Sequence, residues 1–373
     1  MSVDVERKQV LAYRIAAHGL DRATSSPADL AVFALGIQDT PAGSAQQAIA
    51  VRLRDVAEAD GAARSAALVW SIRGAPHVHR RAGLAKLAAA LWPLSDDDAI
   101  ARLGGIGSHL RKVGVPGLTA LTQTAEAFRA SLTRSMTKGE ASAAVTGRVP
   151  EELSPWCKGC KSSHISEQLF RLAALPAGAR IEPGRAPLTF ERITRWPAVP
   201  AEASGTASVV TSYLTLLGPA TEADVAGFLG TKRPEILPTW PTDLTEVSVD
   251  GRRGWFPNDH VEALRSAERP TLVRLLPPYD PYLQARDRAL LVPNKTHRSS
   301  LWRGLLGAPG AVLVDDEIAG VWRAKAGRKG QLELTIDAFS KVAAKTTKAI
   351  DDEAARVATT RSAGGVRVTY QSF

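Results

Sequence analysis

The segment Gly36-Ile37-Gln38-Asp39-Thr40-Pro41 sets an amide, a carboxylate and a hydroxyl on one tight turn between two expected helices. An amide and an acid so placed can hold a water and offset a developing positive charge. The ordinary use of the same residues is capping, with Asp39 or Thr40 satisfying the free N–H groups of the following helix and Gln38 exposed and inert. A second candidate group lies at Arg73 and His77, on either side of a Gly74-Ala75-Pro76 turn, with His79, Arg80 and Arg81 close behind. A histidine beside a proline turn can also simply hydrogen-bond that turn. Cys157-Lys158-Gly159-Cys160 followed by His164 looks like part of a zinc knuckle, yet the chain holds no further cysteine. Two thiols packed in a helix N-terminal turn, with no metal and with Lys158 and Lys161 as phosphate contacts, is the expectation. Walker loops, dinucleotide fingerprints and nucleophile elbows are missing from the sequence.

The elements that must position these groups follow from periodicity and turn chemistry. Helices are expected from Asp4 to Ala17, Ala28 to Leu35 and Ser44 to Leu53, then a hairpin from Ser65 to Arg73 returning through His77-Val78-His79. Three helices and a two-stranded wing make a winged helix-turn-helix. The pattern recurs with helices at Ser208 to Leu217 and Glu222 to Leu229, then Leu244 to Val249 turning at Asp250-Gly251 into a wing tipped by Arg252 and Arg253. Between them fall helices over Ser95 to Gly114, Leu118 to Lys138 and Ser166 to Leu175, with strands near Ala179 to Glu182 and Leu188 to Ile193. After Pro270 the texture turns to strand, broken by one helix from Ala338 to Thr359. The expected class is α+β, tandem winged helix-turn-helix units followed by a C-terminal β-barrel-like domain, divided as 1–95, 96–200, 201–269 and 270–373.

Forty-seven Lys and Arg against thirty-eight Asp and Glu give +9 over 373 residues, a balance that favours a polyanionic partner. Lys295 to Lys348 holds ten bases against five acids, so the last quarter is basic in its own right. A 45% hydrophobic content and a mean hydropathy of -0.09 are globular values without a bilayer-spanning run. With no signal-peptide core at the start and two cysteines, the cytoplasm is the expected compartment.

Five short motifs stand in a particular order: Gly36 to Pro41, Ser71 to His77, Tyr213 to Thr221, Leu275-Leu-Pro-Pro-Tyr-Asp-Pro-Tyr-Leu283 and Gly320-Val-Trp-Arg323. In that order the chain resembles the winged-helix DNA-binding family that includes AlkZ- and YcaQ-like DNA glycosylases. The resemblance implies removal of bulky N-alkylated purines from double-stranded DNA, including unhooking of interstrand crosslinks, by a monomer that needs no cofactor. It places catalysis at Gln38, Asp39 and Thr40. Gln38 matches the first position of the family's motif; Thr40 stands where the family has Gln or Asp, and the acid falls one residue earlier. DNA contacts are then expected from Arg73, His77, His79, Arg80, Lys158, Lys161, Arg252 and Arg253. A non-catalytic winged-helix DNA-binding or regulatory protein is the alternative, separated from the first by chemistry alone.

Overall fold

The computed structural model describes residues 2–23, 26–303 and 307–371 and is a mixed α+β fold with several sheets. No helix among these residues is long and apolar enough to cross a membrane. The chain forms two compact units, one made of residues 1–65, 212–221 and 242–373, the other of 66–211 and 222–241.

The first unit begins with a strand rather than a helix. Val3–Val5 is extended and pairs in parallel with Leu244–Val249, Val3 opposite Val247, so that β-branched residues meet on one sheet. The helix runs over Arg7–Ala17 behind a capping box in which Gln9 Oε1 accepts the Glu6 N–H at 2.8 Å. Leu244–Val249 then turns through Asp250 (φ 50°) and Gly251 (φ 82°) into Arg252–Pro257, the positive-φ pair that an Asp-Gly turn supplies. The helix expected over Ala28 to Leu35 is instead two 3₁₀ turns, Pro27–Asp29 and Ala31–Ala34. Leu30 between them is extended (ψ 111°), which breaks the α ladder.

The C-terminal strands form an open sheet, not a barrel. Val273–Leu276, Gly310–Val314, Glu317–Ala326, Leu332–Ala338 and Val366–Gln371 pair in that order, and no pairing among the described residues joins the two edges. Closure is unnecessary because the helix Ala344–Thr360 covers the apolar face, setting Ile350, Ala354 and Val357 against Leu275, Trp322 and Ile336.

In the second unit Ala66–Trp70 pairs with Pro76–Arg80 on one side and Ala179–Ile181 on the other, followed by Thr189–Arg192 and Met136–Thr137. The expected Leu118 to Lys138 helix is Gly117–Ser131. Leu132 leaves helical geometry (ψ 68°), and a new helix, Lys138–Thr146, starts behind a Thr137–Glu140 capping box. Trp70, Phe128, Phe170 and Phe190 interlock as edge and stacked pairs at its centre.

Two ion pairs of the first unit are almost completely buried. Arg52 holds Asp280 through both carboxylate oxygens at 2.7 and 2.8 Å, both side chains 0% exposed, and donates as well to the His18 and Ala48 carbonyls. Arg14 holds Asp287 at 2.7 Å and donates to the Gly218 carbonyl. Removing one partner of such a pair strands a charge in low dielectric. Asp280→Ala should therefore cost about 3–5 kcal/mol in denaturant unfolding. The pair Arg52→Met with Asp280→Leu, leaving no charge, should recover a substantial part; a double variant no better than the single would show that the pair's geometry, not its charge, carries the effect.

Candidate functional site

The Gly36 to Pro41 segment leaves the 3₁₀ turn Ala31–Ala34 through Gly36 (φ 77°), runs extended over Ile37–Gln38, and bends into the helix Ser44–Ala50. Asp39 Oδ1 accepts the Ala45 N–H at 3.0 Å, so the capping bond foreseen for it is made. Burial pushes the Asp39 carboxyl above its ordinary range, opposed by the N–H groups of Ala45, Gly43 and Ser44. Thr40, half-buried, joins Pro41 by a cis peptide.

Gln38 is not the exposed, inert residue of the capping reading. It is only 8% exposed, and its Oε1 accepts from Gln284 Nε2 at 3.4 Å. Among the described residues its own Nε2 donates to no protein group, which leaves an amide N–H for a ligand or a water. Gln284 also donates to the Tyr279 carbonyl at 3.2 Å, in a helical turn, Pro281–Gln284, capped by Asp280. Arg52, just beyond the helix that Asp39 caps, is what holds Asp280. The first motif thus meets, at Gln38, the residue that directly follows the fourth, Gln284. Gln284 was missed because it falls one residue past the Leu275 to Leu283 motif, and only its place beside Asp280 hinted at it.

The hairpin of the second unit turns at Arg73 (φ 57°) and Gly74 (φ 69°). Arg73 does not stand clear of the protein: its Nη1 donates to the Phe228 carbonyl and its guanidinium lies 5.3 Å from the Phe228 ring centroid. His77 donates from Nδ1 to the Ala75 carbonyl at 2.9 Å, and His79 Nε2 pairs with Ser71 Oγ at 3.0 Å. Each is 3% exposed. Burial lowers His77 from 6.5 to about 3, with His79 adding to the shift, and lowers His79 to about 4, so both are neutral. These two histidines serve their own hairpin within this unit, and Arg80 and Arg81 are the exposed members of the set.

Cys157 and Cys160 lie on a small hairpin, Trp156–Cys157 against Ser162–Ser163, and not in a helix N-terminal turn; the helix Glu167–Ala174 starts later. Lys158 and Lys161 are exposed on its turn, beside Trp156 at 64% exposure. Hydrogen bonding, foremost from the Cys160 backbone, pulls the Cys157 thiol down to about 7. Among the described residues Cys157, Cys160 and His164 are the one group of cysteines, histidines and acids close enough to hold a metal ion. On the other hairpin, Arg252 reaches Asp287 at 3.4 Å, whereas the Arg253 side chain is 74% exposed and only 3.6 Å from Glu246. The two arginines expected at the tip thus differ: Arg253 projects and Arg252 is drawn toward a buried carboxylate.

These arrangements sit in a chain whose residues 34–360 match the family described as DNA glycosylase AlkZ-like, and the chain belongs to that family. It is 31% identical over 173 residues to an interstrand DNA cross-link repair glycosylase of Streptomyces sahachiroi, a stretch covering 44% of each protein and so less than half of the relative's length. The solved structure of Streptomyces sahachiroi DNA glycosylase AlkZ is similar over 100% of both chains, with a TM-score of 0.74 at 22% identity, a likeness of fold.

The buried histidines make stability depend on pH in a definite direction. In the unfolded chain they protonate near 6.5, while in the folded chain they stay neutral down to about 4 and about 3. Their full contribution is present above 6.5 and is lost as pH falls through that window, at a limiting slope of about 1.4 kcal/mol per pH unit for each group. Urea unfolding from pH 7 to 4 should show this fall, flattened in His79→Asn. A stability that is level from pH 7 to 5 would show both histidines titrating normally.

Proposed function

We propose that this chain is a monofunctional DNA glycosylase that removes bulky N-alkylated purines, including those in interstrand crosslinks, with water as nucleophile and no cofactor. The observation that carries this reading is Gln38: an amide with a free N–H, nine-tenths buried, oriented by Gln284 on a segment pinned through Arg52 and Asp280. A purine alkylated at N7 or N3 already bears positive charge. Its C1′–N9 bond breaks with the electron pair leaving on the base, which becomes neutral, and the sugar becomes an oxocarbenium ion. Water held by Gln38 adds to C1′ and loses its proton to solvent, giving an abasic site and the free base. Asp39, fixed by the helix N–H groups, faces the developing sugar charge, and Thr40 completes the turn.

Tandem winged-helix units supply the grip on double-stranded DNA in this reading, with Arg80, Lys158, Lys161 and Arg253 as phosphate contacts. A second reading, a non-catalytic DNA-binding protein, is favoured by the bond from Ala45 N–H to Asp39, because a cap alone accounts for it.

Single-turnover release of base from DNA carrying N7-alkylguanine separates the two. Gln38→Ala should lower release by about 100-fold, the order found on deleting one preorganised polar group. Asn caps about as well as Asp, so Asp39→Asn should keep its melting temperature and still lose about tenfold or more. No release by the native protein would leave the binding reading standing, and wild-type release by both variants would keep the activity but remove Gln38 and Asp39 from it. In a separate salt titration, Arg253→Ala should weaken binding to any duplex and reduce the slope by about one unit; an unchanged slope removes this hairpin from the interface.

A further inference from the structure

The cysteine hairpin of the second unit presents a structural problem that its protein contacts do not solve. Its strands are two residues each, and Lys158 through Ser163 are all exposed, so no apolar face holds it closed. A hairpin that short is not stable on its own. It nevertheless adopts a defined turn with Lys161 in the left-handed region (φ 52°), and both cysteines are free thiols.

The turn brings three ligand atoms together: the Cys157 and Cys160 sulfurs and a ring nitrogen of His164 all lie within 4.8 Å of one another. The imidazole is set for coordination. Its Nδ1–H donates to the Ile165 carbonyl at 2.8 Å, which leaves the lone pair on Nε2, and Nε2 is buried with no hydrogen-bond partner. A metal-bound histidine commonly makes this bond, its second nitrogen being held by a backbone carbonyl. Glu167, the nearest acid along the chain, is committed to Lys138 at 2.7 Å and Arg171 at 2.6 Å.

We propose that Cys157, Cys160 and His164 form a zinc site that staples this hairpin, with water in the fourth position. Two thiolates and an imidazole are a ligand set that suits Zn²⁺ over the hard cations. Tetrahedral bonds of about 2.3 Å to sulfur set ligand atoms about 3.8 Å apart, so the site closes by about 1 Å or less on binding. The metal takes the place of the missing apolar face, and the staple fixes Trp156, Lys158 and Lys161 on one rigid projection. The expectation of no metal rested on the lack of a fourth protein ligand beside Cys157, Cys160 and His164, and in this proposal water takes that position.

The test uses the full chain, reduced, stripped with chelator and mixed with zinc chloride. One zinc per chain should remain through gel filtration, and the metal should protect both thiols from alkylation. Co²⁺ in place of zinc should give thiolate-to-cobalt charge-transfer absorption. Cys157→Ser, Cys160→Ser and His164→Ala should each weaken zinc binding by at least about 100-fold, more than second-shell changes do. The proposal is overturned if zinc elutes apart from the native chain or if it leaves thiol alkylation unchanged. Retention of zinc by Cys157→Ser would overturn it too, as would a Cys157–Cys160 disulfide re-forming in the presence of zinc. The alkylation arm needs only the native sequence, so a variant that fails to fold does not block the answer.

Discussion

A guanidinium buried against a carboxylate, Arg52 on Asp280, constrains the first unit more than any other single contact. Both groups have left water, so each needs its partner in one geometry. Arg52 meets this need with two carboxylate oxygens and two backbone carbonyls. The Arg14–Asp287 pair repeats the device at the other end of the same segment. A stretch rich in proline and without a long helix or strand is thereby held at two points, and Gln284, which lies between them, meets Gln38. Apolar packing would give more stability at those positions but would not fix the direction of an amide.

The signals that could be read in the sequence are local. Asp250-Gly251 between alternating segments requires a hairpin, and the hairpin is there. The Gly36 to Pro41 turn and its capping carboxylate are likewise written in adjacent residues. Arg52 stands in Val-Arg-Leu-Arg, where nothing marks it as a buried charge, because its partner is 228 residues away. His77 and His79 alternate with Val78, and hydrophobicity turns the valine toward the core, where it packs; what it does not foretell is that the histidines on the other face are buried as well, held by Ala75 and Ser71. The open C-terminal sheet could not be told from a closed one, since strand periodicity says which face is apolar and not what will cover it.

Net charge is also a blunter guide than it first appears. Several of the arginines behind the +9 are structural: Arg14, Arg52, Arg73 and Arg356 end on backbone carbonyls or internal carboxylates. In the basic last quarter, Lys325 pairs with Glu333 and Lys348 with Asp352. The charge left to meet a polyanion is therefore carried by fewer residues than composition suggests, and exposed positions such as Lys158 and Lys161 weigh more than the total.

The exposure of Trp156 has a spectroscopic side. The protein has eight tryptophans, and Trp70, Trp92 and Trp322 are each 2% exposed. Trp156, at 64%, is the one large aromatic side chain among the described residues that stands mainly in solvent. Its emission lies toward the red and is open to collisional quenchers, while the buried indoles emit to the blue and are shielded. The fluorescence spectrum of the native chain thus contains a built-in reporter of one hairpin, readable without label or substitution.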